Sequence, residues 1–164
     1  MADEQAGATA TATASATATA TSTATGEGRS GALVLFGATG DLAYKKLFPS
    51  IYAMEAADRL GVPVIGVASS EGDDEFLRGR ARASVTELVA DHDPAVLDRM
   101  LGRIRYVSGD YREDAVYGAL AGVLAGAERP LFYLAIPPSL FDDVVSGLDR
   151  CGVAAGGRVV VEKP

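Results

Sequence analysis

Cysteine is almost missing. Cys151 is the only one in the chain, so no internal disulfide can form. That usage fits a reducing cytoplasm, and the residue itself reads as ordinary packing. No apolar run approaches the roughly 20 residues that cross a bilayer, so a soluble protein with no membrane partner is expected. Basic runs are missing as well. The net charge of −7 is spread along the chain, which argues against nucleic acid or an anionic membrane as partner and leaves room for a local basic pocket. Histidine occurs once, as His92 between Asp91 and Asp93 in a turn-like stretch, and reads as a solvated cap rather than a base or ligand; no metal site is expected. With 164 residues, 48% of them apolar, the chain suffices for one compact domain but not for a nucleotide domain plus a substrate domain.

What is present divides into a leader and a domain. Residues 1–30 alternate Ala and Thr between Ala8 and Thr25, side chains that bury too little apolar surface to offset the cost of ordering, so a disordered leader is expected. Acidic Asp3 and Glu4, a weakly apolar middle and no arginine before Arg29 exclude an export signal and disfavour an organelle transit peptide. Residues 31–164 carry the folded domain.

The domain is organised around Ala32-Leu33-Val34-Leu35-Phe36-Gly37-Ala38-Thr39-Gly40-Asp41-Leu42-Ala43. A short apolar run, a Gly-x-x-Gly turn and a helical pattern follow one another, which reads as buried strand, tight turn, helix. At such a junction glycines let the backbone approach a ligand, and the first helical amides favour a phosphate, for which a dinucleotide pyrophosphate is the natural guest. Leu35 stands where the usual Gly-x-Gly-x-x-Gly has its first glycine, so a plain strand-to-helix turn stays open on this motif alone.

Further along, a helix is predicted from about Gly40 to Leu60, kinked or broken at Pro49 and ended by Gly61. Residues 62–68 read as a second strand. Residues 73–102 read as two helical pieces separated at Asp91-His92-Asp93-Pro94, 104–108 as a third strand and 114–124 as a helix. An apolar strand then stops at Pro137-Pro138, a helix covers 139–151, and a last buried strand starts at Arg158. Strands alternating with helices imply right-handed crossovers and a Rossmann-type, doubly wound parallel sheet of the α/β class. Ligands of such sheets collect beyond the carboxyl ends of the strands, where Gly37–Leu42, Ala135–Pro138 and Glu162-Lys163-Pro164 fall together. Lys163 would face that crevice, free to contact a phosphate or polarise a hydroxyl. The end of the second strand, Ser69-Ser70-Glu71, shows neither the clear acidic residue that binds the ribose of NAD nor the arginine that binds the 2′-phosphate of NADP; Arg78 and Arg80 are the basic groups within reach.

Three strings, Gly37-Ala38-Thr39-Gly40-Asp41-Leu42-Ala43 with Lys45-Lys46 and Pro49, then Tyr133-Leu134-Ala135-Ile136-Pro137-Pro138, then Val161-Glu162-Lys163-Pro164, together resemble the nucleotide-binding domain of the glucose-6-phosphate dehydrogenases. The Tyr106–Tyr111 segment resembles the family's Tyr-Val-x-Gly-x-Tyr. The resemblance covers residues 31–164. It implies oxidation of glucose 6-phosphate at C1 to the lactone with hydride passing to NADP, at the head of the pentose phosphate pathway. It further implies that Gly37, Ala38, Thr39, Gly40, Asp41, Leu42, Ala43 and Tyr44 cradle the cofactor phosphates, with Asp41 capping the turn. Phe141 stands where relatives carry a cofactor-contacting aromatic, and Lys163 matches the lysine that touches both cofactor and sugar phosphate. Ser69 stands where relatives place an arginine or lysine for the 2′-phosphate, which leaves NAD open beside NADP. The family's catalytic histidine, its substrate-phosphate site and the domain through which relatives form dimers or tetramers lie beyond the position of Pro164. Residues 1–164 alone are therefore expected to lack catalytic residues, to turn over no sugar and to expose an apolar face.

Two other enzyme classes share parts of the pattern. A sugar oxidoreductase family also ends its nucleotide domain in Glu-Lys-Pro but lacks Gly-Asp-Leu-Ala with Lys-Lys. Short-chain dehydrogenases share Gly-Ala-Thr-Gly, but none of the six tyrosines here has lysine four residues on. A non-catalytic NAD(P)-binding module is the remaining alternative.

Overall fold

A computed structural model describes residues 29–162; the expected leader up to residue 28, and Lys163 and Pro164, lie outside the described residues. Five apolar runs form the strands β1 (Leu33–Phe36), β2 (Val64–Ala68), β3 (Ile104–Ser108), β4 (Leu131–Leu134) and β5 (Arg158–Val161). They pair in the order β3-β2-β1-β4-β5, every pair parallel. The helices between them are α1 (Phe48–Ala56), α2 (Asp74–Leu88), α3 (Pro94–Gly102), α4 (Asp114–Val123) and α5 (Phe141–Arg150). Alternating side chains send β1 to both faces. Leu35 packs with Phe48, Ile51, Leu77 and Met100 under α1, α2 and α3, while Val34 and Phe36 pack with Val116, Tyr117 and Val144 under α4 and α5. This is the expected doubly wound sheet, with apolar cores on both faces supplying the main stabilisation.

The chain leaves β1 toward β2 and β3 on one side, then returns to place β4 on the other, so the crevice between the carboxyl ends of β1 and β4 is the topological switch point. Register aligns the exits. Phe36 lies beside Val67 and Leu134, and Leu134 beside Val161. Gly37, Ala135 and Glu162 therefore leave the sheet in one row.

Local chemistry explains most boundaries. Asp73 caps α2 through the Phe76 amide at 2.9 Å, and Asp93 caps α3 through the Ala95 amide at 2.8 Å with Pro94 in the first turn. Three expectations need correction. Pro49 does not break the first helix: the chain is helical from Asp41, opens into a π-turn over Ala43–Leu47 with the Phe48 amide on the Ala43 carbonyl, and continues as α1. The wider turn absorbs the proline's missing donor, and the Ser50 hydroxyl takes up the Lys46 carbonyl at 2.8 Å. The same helix ends at Ala56, short of Gly61, because Asp58 adopts the left-handed conformation (φ 53°) and the Arg59 amide reaches back to the Met54 carbonyl at 2.8 Å. That is a Schellman stop made without glycine. Finally, β5 is exposed rather than buried, with Val159 46%, Val160 36% and Val161 52% accessible. Among the described residues it is an edge strand, paired with β4.

Candidate functional site

The Gly37 turn is held tightly at the end of β1. Gly37 has φ 81°, and a Cβ there would sit 2.3 Å from the Ala135 carbonyl oxygen, so only glycine lets the turn lie against the end of β4. On the other side, Gly66 in β2 lacks the Cβ that would fall 2.7 Å from that of Ala38, which lets the buried Ala38 settle on the sheet. The Gly37 amide donates to the Val67 carbonyl at 2.9 Å and to the Tyr111 hydroxyl at 3.0 Å. The Gly40 amide closes the turn on the Gly37 carbonyl at 2.9 Å. The helix starts directly after it, so the amides of its first turn have no intrahelical acceptor and point out of the carboxyl edge.

The sequence-derived site residues other than Lys163, which lies outside the described residues, each have a place in the structure. Thr39 shares a hydroxyl hydrogen bond of 3.1 Å with Ser70, joining the turn to the end of β2, and Ser69 is exposed beside it. Asp41 does not cap the turn: its carboxylate accepts from Lys45 Nζ at 2.9 Å, and that ammonium holds its carboxyl below the usual range. Ala43 is fully buried beneath the helix start, while Leu42 faces a cleft. Tyr44 points away from the turn toward α2, its hydroxyl donating to Glu87 at 2.6 Å, a bond that raises its pKa, with the Arg80 guanidinium 5.1 Å from its ring centre. The two arginines near the second strand separate here. Arg78 is committed to Glu75 and to the Ile104 carbonyl, the latter at 3.0 Å, whereas Arg80 sits over the Tyr44 ring and, after Lys45, makes a minor contribution to lowering the Asp41 pKa.

Beyond β4, Leu42, Leu134, Ala135, Ile136, Pro137, Pro138, Phe141 and Glu162 line a cleft of about 300 Å³. It takes Leu42, Ala135–Pro138 and Glu162 from the three edge segments and brings Phe141, half-buried at the start of α5, to the crevice. The Tyr133 hydroxyl donates to Glu162, one of the residues lining the cleft, and burial, reinforced by that carboxylate, pushes the Tyr133 pKa up to about 12. A larger cavity of about 480 Å³, lined by Pro63, Gly102, Arg103, Arg105 and Val123, lies at the opposite, amino-terminal edge. Topology favours the smaller cleft, because ligands of open parallel sheets bind at the carboxyl ends.

His92 donates from Nδ1 to the Val89 carbonyl, 3.3 Å away, and Cys151 packs against the second core as expected. Among the described residues no group of three His, Cys, Asp or Glu is placed to hold a metal, and no helix is long and apolar enough to cross a membrane. Reading the sequence missed the Tyr133–Glu162 contact and the reach of Tyr111 to Gly37. The Tyr106–Tyr111 string was the available signal for the second.

Comparison with known proteins agrees with this geometry. The model of the family described as glucose-6-phosphate dehydrogenase, NAD binding domain, matches residues 34–164. Glucose-6-phosphate 1-dehydrogenase 1 of Mycobacterium bovis is 42% identical over 139 residues, covering 84% of this chain and 29% of that protein. The crystal structure of glucose-6-phosphate 1-dehydrogenase from Mycobacterium avium superposes with a TM-score of 0.78 at 42% identity, covering 83% of this chain and 30% of that one. A structure of glucose-6-phosphate dehydrogenase in complex with its substrate glucose-6-phosphate gives 0.71 at 31% identity, covering 81% and 30%. The chain thus spans 29% to 30% of the length of these relatives. The matched stretch holds every segment that forms the carboxyl-edge cleft, and on that extent the chain belongs to the glucose-6-phosphate dehydrogenase family, through its NAD binding domain.

Proposed function

We propose that the cleft binds NADP, with NAD as an alternative cofactor, and that the protein serves the cytoplasmic oxidation of glucose 6-phosphate at C1 to the lactone. The observation that carries this is the convergence of the Gly37 turn, the Ala135–Pro138 segment and Glu162 at the switch point, in a chain of this family. The residues present suit a dinucleotide. A Cβ on Gly40 would meet only the Gly37 carbonyl and otherwise open space, which leaves room for a pyrophosphate against the turn. Lys45 neutralises Asp41, the one acidic group inside the turn, so an anion is not repelled there.

In this proposal Gly37, Ala38, Thr39, Gly40, Asp41, Leu42, Ala43 and Tyr44 form the phosphate cradle, the amides of Thr39 and of the first helical turn from Asp41 being its donors. The Ser69 hydroxyl, close to Ser70 and Thr39, receives the 2′ end of the adenosine, where it hydrogen-bonds a hydroxyl or a phosphate without the charge that would reject either cofactor. Phe141 offers an apolar wall to the far half of the cofactor, and Lys163, next in sequence to Glu162, contacts cofactor and sugar phosphate. The nicotinamide, when bound, supplies the hydride acceptor. The chain's own residues bind and orient; the base that takes the C1 hydroxyl proton is proposed to come from the part of the family enzymes beyond residue 164.

The test is a pair of assays. The isolated 164-residue chain, titrated with NADP by calorimetry, is expected to bind it with micromolar to millimolar affinity and to reduce none of it when glucose 6-phosphate is added. The protein purified from its own cells is expected to reduce NADP on addition of glucose 6-phosphate. Failure of the first binding assay, or turnover of a different sugar only, would reject the proposal.

A further inference from the structure

Gly37 donates its amide to two acceptors, and one of them comes from far away in sequence. Tyr111, in the loop between β3 and α4, is 7% exposed and stacks edge-on against Phe36 with ring centres 5.6 Å apart. Its hydroxyl accepts the Gly37 amide at 3.0 Å and donates to the Val67 carbonyl at 3.2 Å. The same Val67 carbonyl accepts the Gly37 amide at 2.9 Å and the Ala38 amide at 3.3 Å. One hydroxyl therefore clips the ends of β1 and β2 together where the turn begins.

Behind Tyr111 stands a second tyrosine. Tyr117 is fully buried, and its hydroxyl donates to the Tyr111 carbonyl at 2.6 Å and faces the Asp143 carbonyl of α5 at 3.3 Å. Gly147 makes room for that ring: a Cβ there would fall 2.1 Å from Tyr117 Cζ. Gly37 turn, Tyr111, Tyr117 and the first turn of α5, which carries Phe141, thus form a continuous hydrogen-bonded strut.

We infer that Tyr111 is a positioning residue for dinucleotide binding: its hydroxyl, braced by Tyr117, fixes the Gly37 peptide and so aims the amides that follow at the cofactor pyrophosphate. Because a peptide unit is planar, fixing the Gly37 N–H fixes the whole unit between Phe36 and Gly37, from which the turn departs. The Gly37 amide is consumed by the strut, the Ala38 amide lies on the Val67 carbonyl and the Gly40 amide on the Gly37 carbonyl, so the phosphate donors are the amides of Thr39 and of the first helical turn from Asp41, and their direction depends on where that unit points. This rests on the dinucleotide proposal above, and it concerns the pyrophosphate rather than the adenosine.

The experiment compares two probes on the intact protein and on Tyr111→Phe, which keeps the ring and removes the hydroxyl. NADP carries the pyrophosphate, whereas adenosine 2′-monophosphate carries the adenosine and 2′-phosphate only. Tyr111→Phe is expected to weaken NADP by about five- to tenfold, the worth of one lost hydrogen bond, and to leave adenosine 2′-monophosphate within twofold. The Gly37 amide resonance is expected to shift in the same variant. Equal weakening of both probes, or no weakening of NADP, with the parent binding NADP normally, would overturn the role of Tyr111. If the parent binds no NADP, the dinucleotide proposal fails first and the strut's role falls with it. Should Tyr111→Phe not fold, Tyr117→Phe, which leaves Tyr111 in place and removes its brace, carries the same test, with a two- to threefold selective loss expected and an unselective one contradictory.

Discussion

Replacing Gly37 by alanine is a sharp perturbation of this site, because two independent structural costs fall on one methyl group. The backbone there has φ 81°, a conformation that costs an L side chain about 1–2 kcal/mol. The new Cβ would also start 2.3 Å from the Ala135 carbonyl oxygen and 2.9 Å from its carbon, and backbone atoms cannot rotate aside as a side-chain tip can. Relief requires the ends of β1 and β4 to part, which strains the Ala135 amide bond to the Phe36 carbonyl and the Gly37 amide bond to Val67, each 2.9 Å long. Each such bond is worth about 1 kcal/mol. The expected loss is therefore about 3 kcal/mol in all, which for a domain of this size lowers the thermal midpoint by roughly 10 °C. Circular dichroism melting would read it, with NADP titration of the folded variant alongside, where at least tenfold weaker binding is expected. Gly118→Ala is the control: its Cβ meets nothing within 4 Å inside α4, so a gain of about 0.5–1 kcal/mol is expected. A Gly37→Ala protein that melts within about 2 °C of the parent and binds NADP equally well would refute the reasoning.

Three further outcomes are expected. The intact protein should bind NAD and NADP with comparable dissociation constants, since Ser69 supplies no charge at the 2′ position; a hundredfold preference for NADP would contradict that assignment. Glu55→Ala should lower the urea midpoint by the equivalent of about 2–3 kcal/mol, the usual worth of charge-assisted bonds, because the buried carboxylate accepts from Arg103 Nε at 2.8 Å and Arg99 Nε at 3.3 Å. Burial holds the Tyr111 and Tyr117 hydroxyls at about 12, above the value of 10.0 for a free phenol. Folding favours their protonated form, so their contribution to stability is intact below pH 10 and is lost as pH rises from there through about 12. Absorbance titration at the phenolate band should show Tyr111 and Tyr117, with Tyr133, ionising near pH 12, and free titration of Tyr111 and Tyr117 near pH 10 in the folded protein would contradict the burial.

The first strand and its turn could be read directly because their signal is local. An apolar run too short for a helix, followed by Gly37 and Gly40, admits few conformations, and the same holds for the strand stopped at Pro137-Pro138 and the helix opened by Asp93-Pro94. Other features depend on atoms distant in sequence. Val159, Val160 and Val161 have the composition of a buried strand, yet their exposure follows from the edge position of β5, which only the strand order decides. Pro49 signalled a break, but whether a helix breaks or widens depends on the packing of its next turn, where Phe48, Ile51 and Tyr52 are buried. Asp58 took the left-handed stop that Gly61 suggested, a competition within one loop that composition does not rank. At the site itself the glycine and proline stretches named in the sequence lie together at one edge of the sheet, whereas Asp41 found Lys45 in place of the turn. The hydroxyl that holds the turn comes from 74 residues downstream.

The central claim is that the carboxyl edge of the sheet receives a nicotinamide dinucleotide. Amide chemical-shift mapping of the protein during titration with NADP tests it most directly. The largest shifts are expected at Gly37–Tyr44, at Ser69 and Ser70, and from Ile136 to Phe141. Shifts confined to the opposite cavity, around Gly102, Arg103 and Arg105, or no shifts at all, would contradict it.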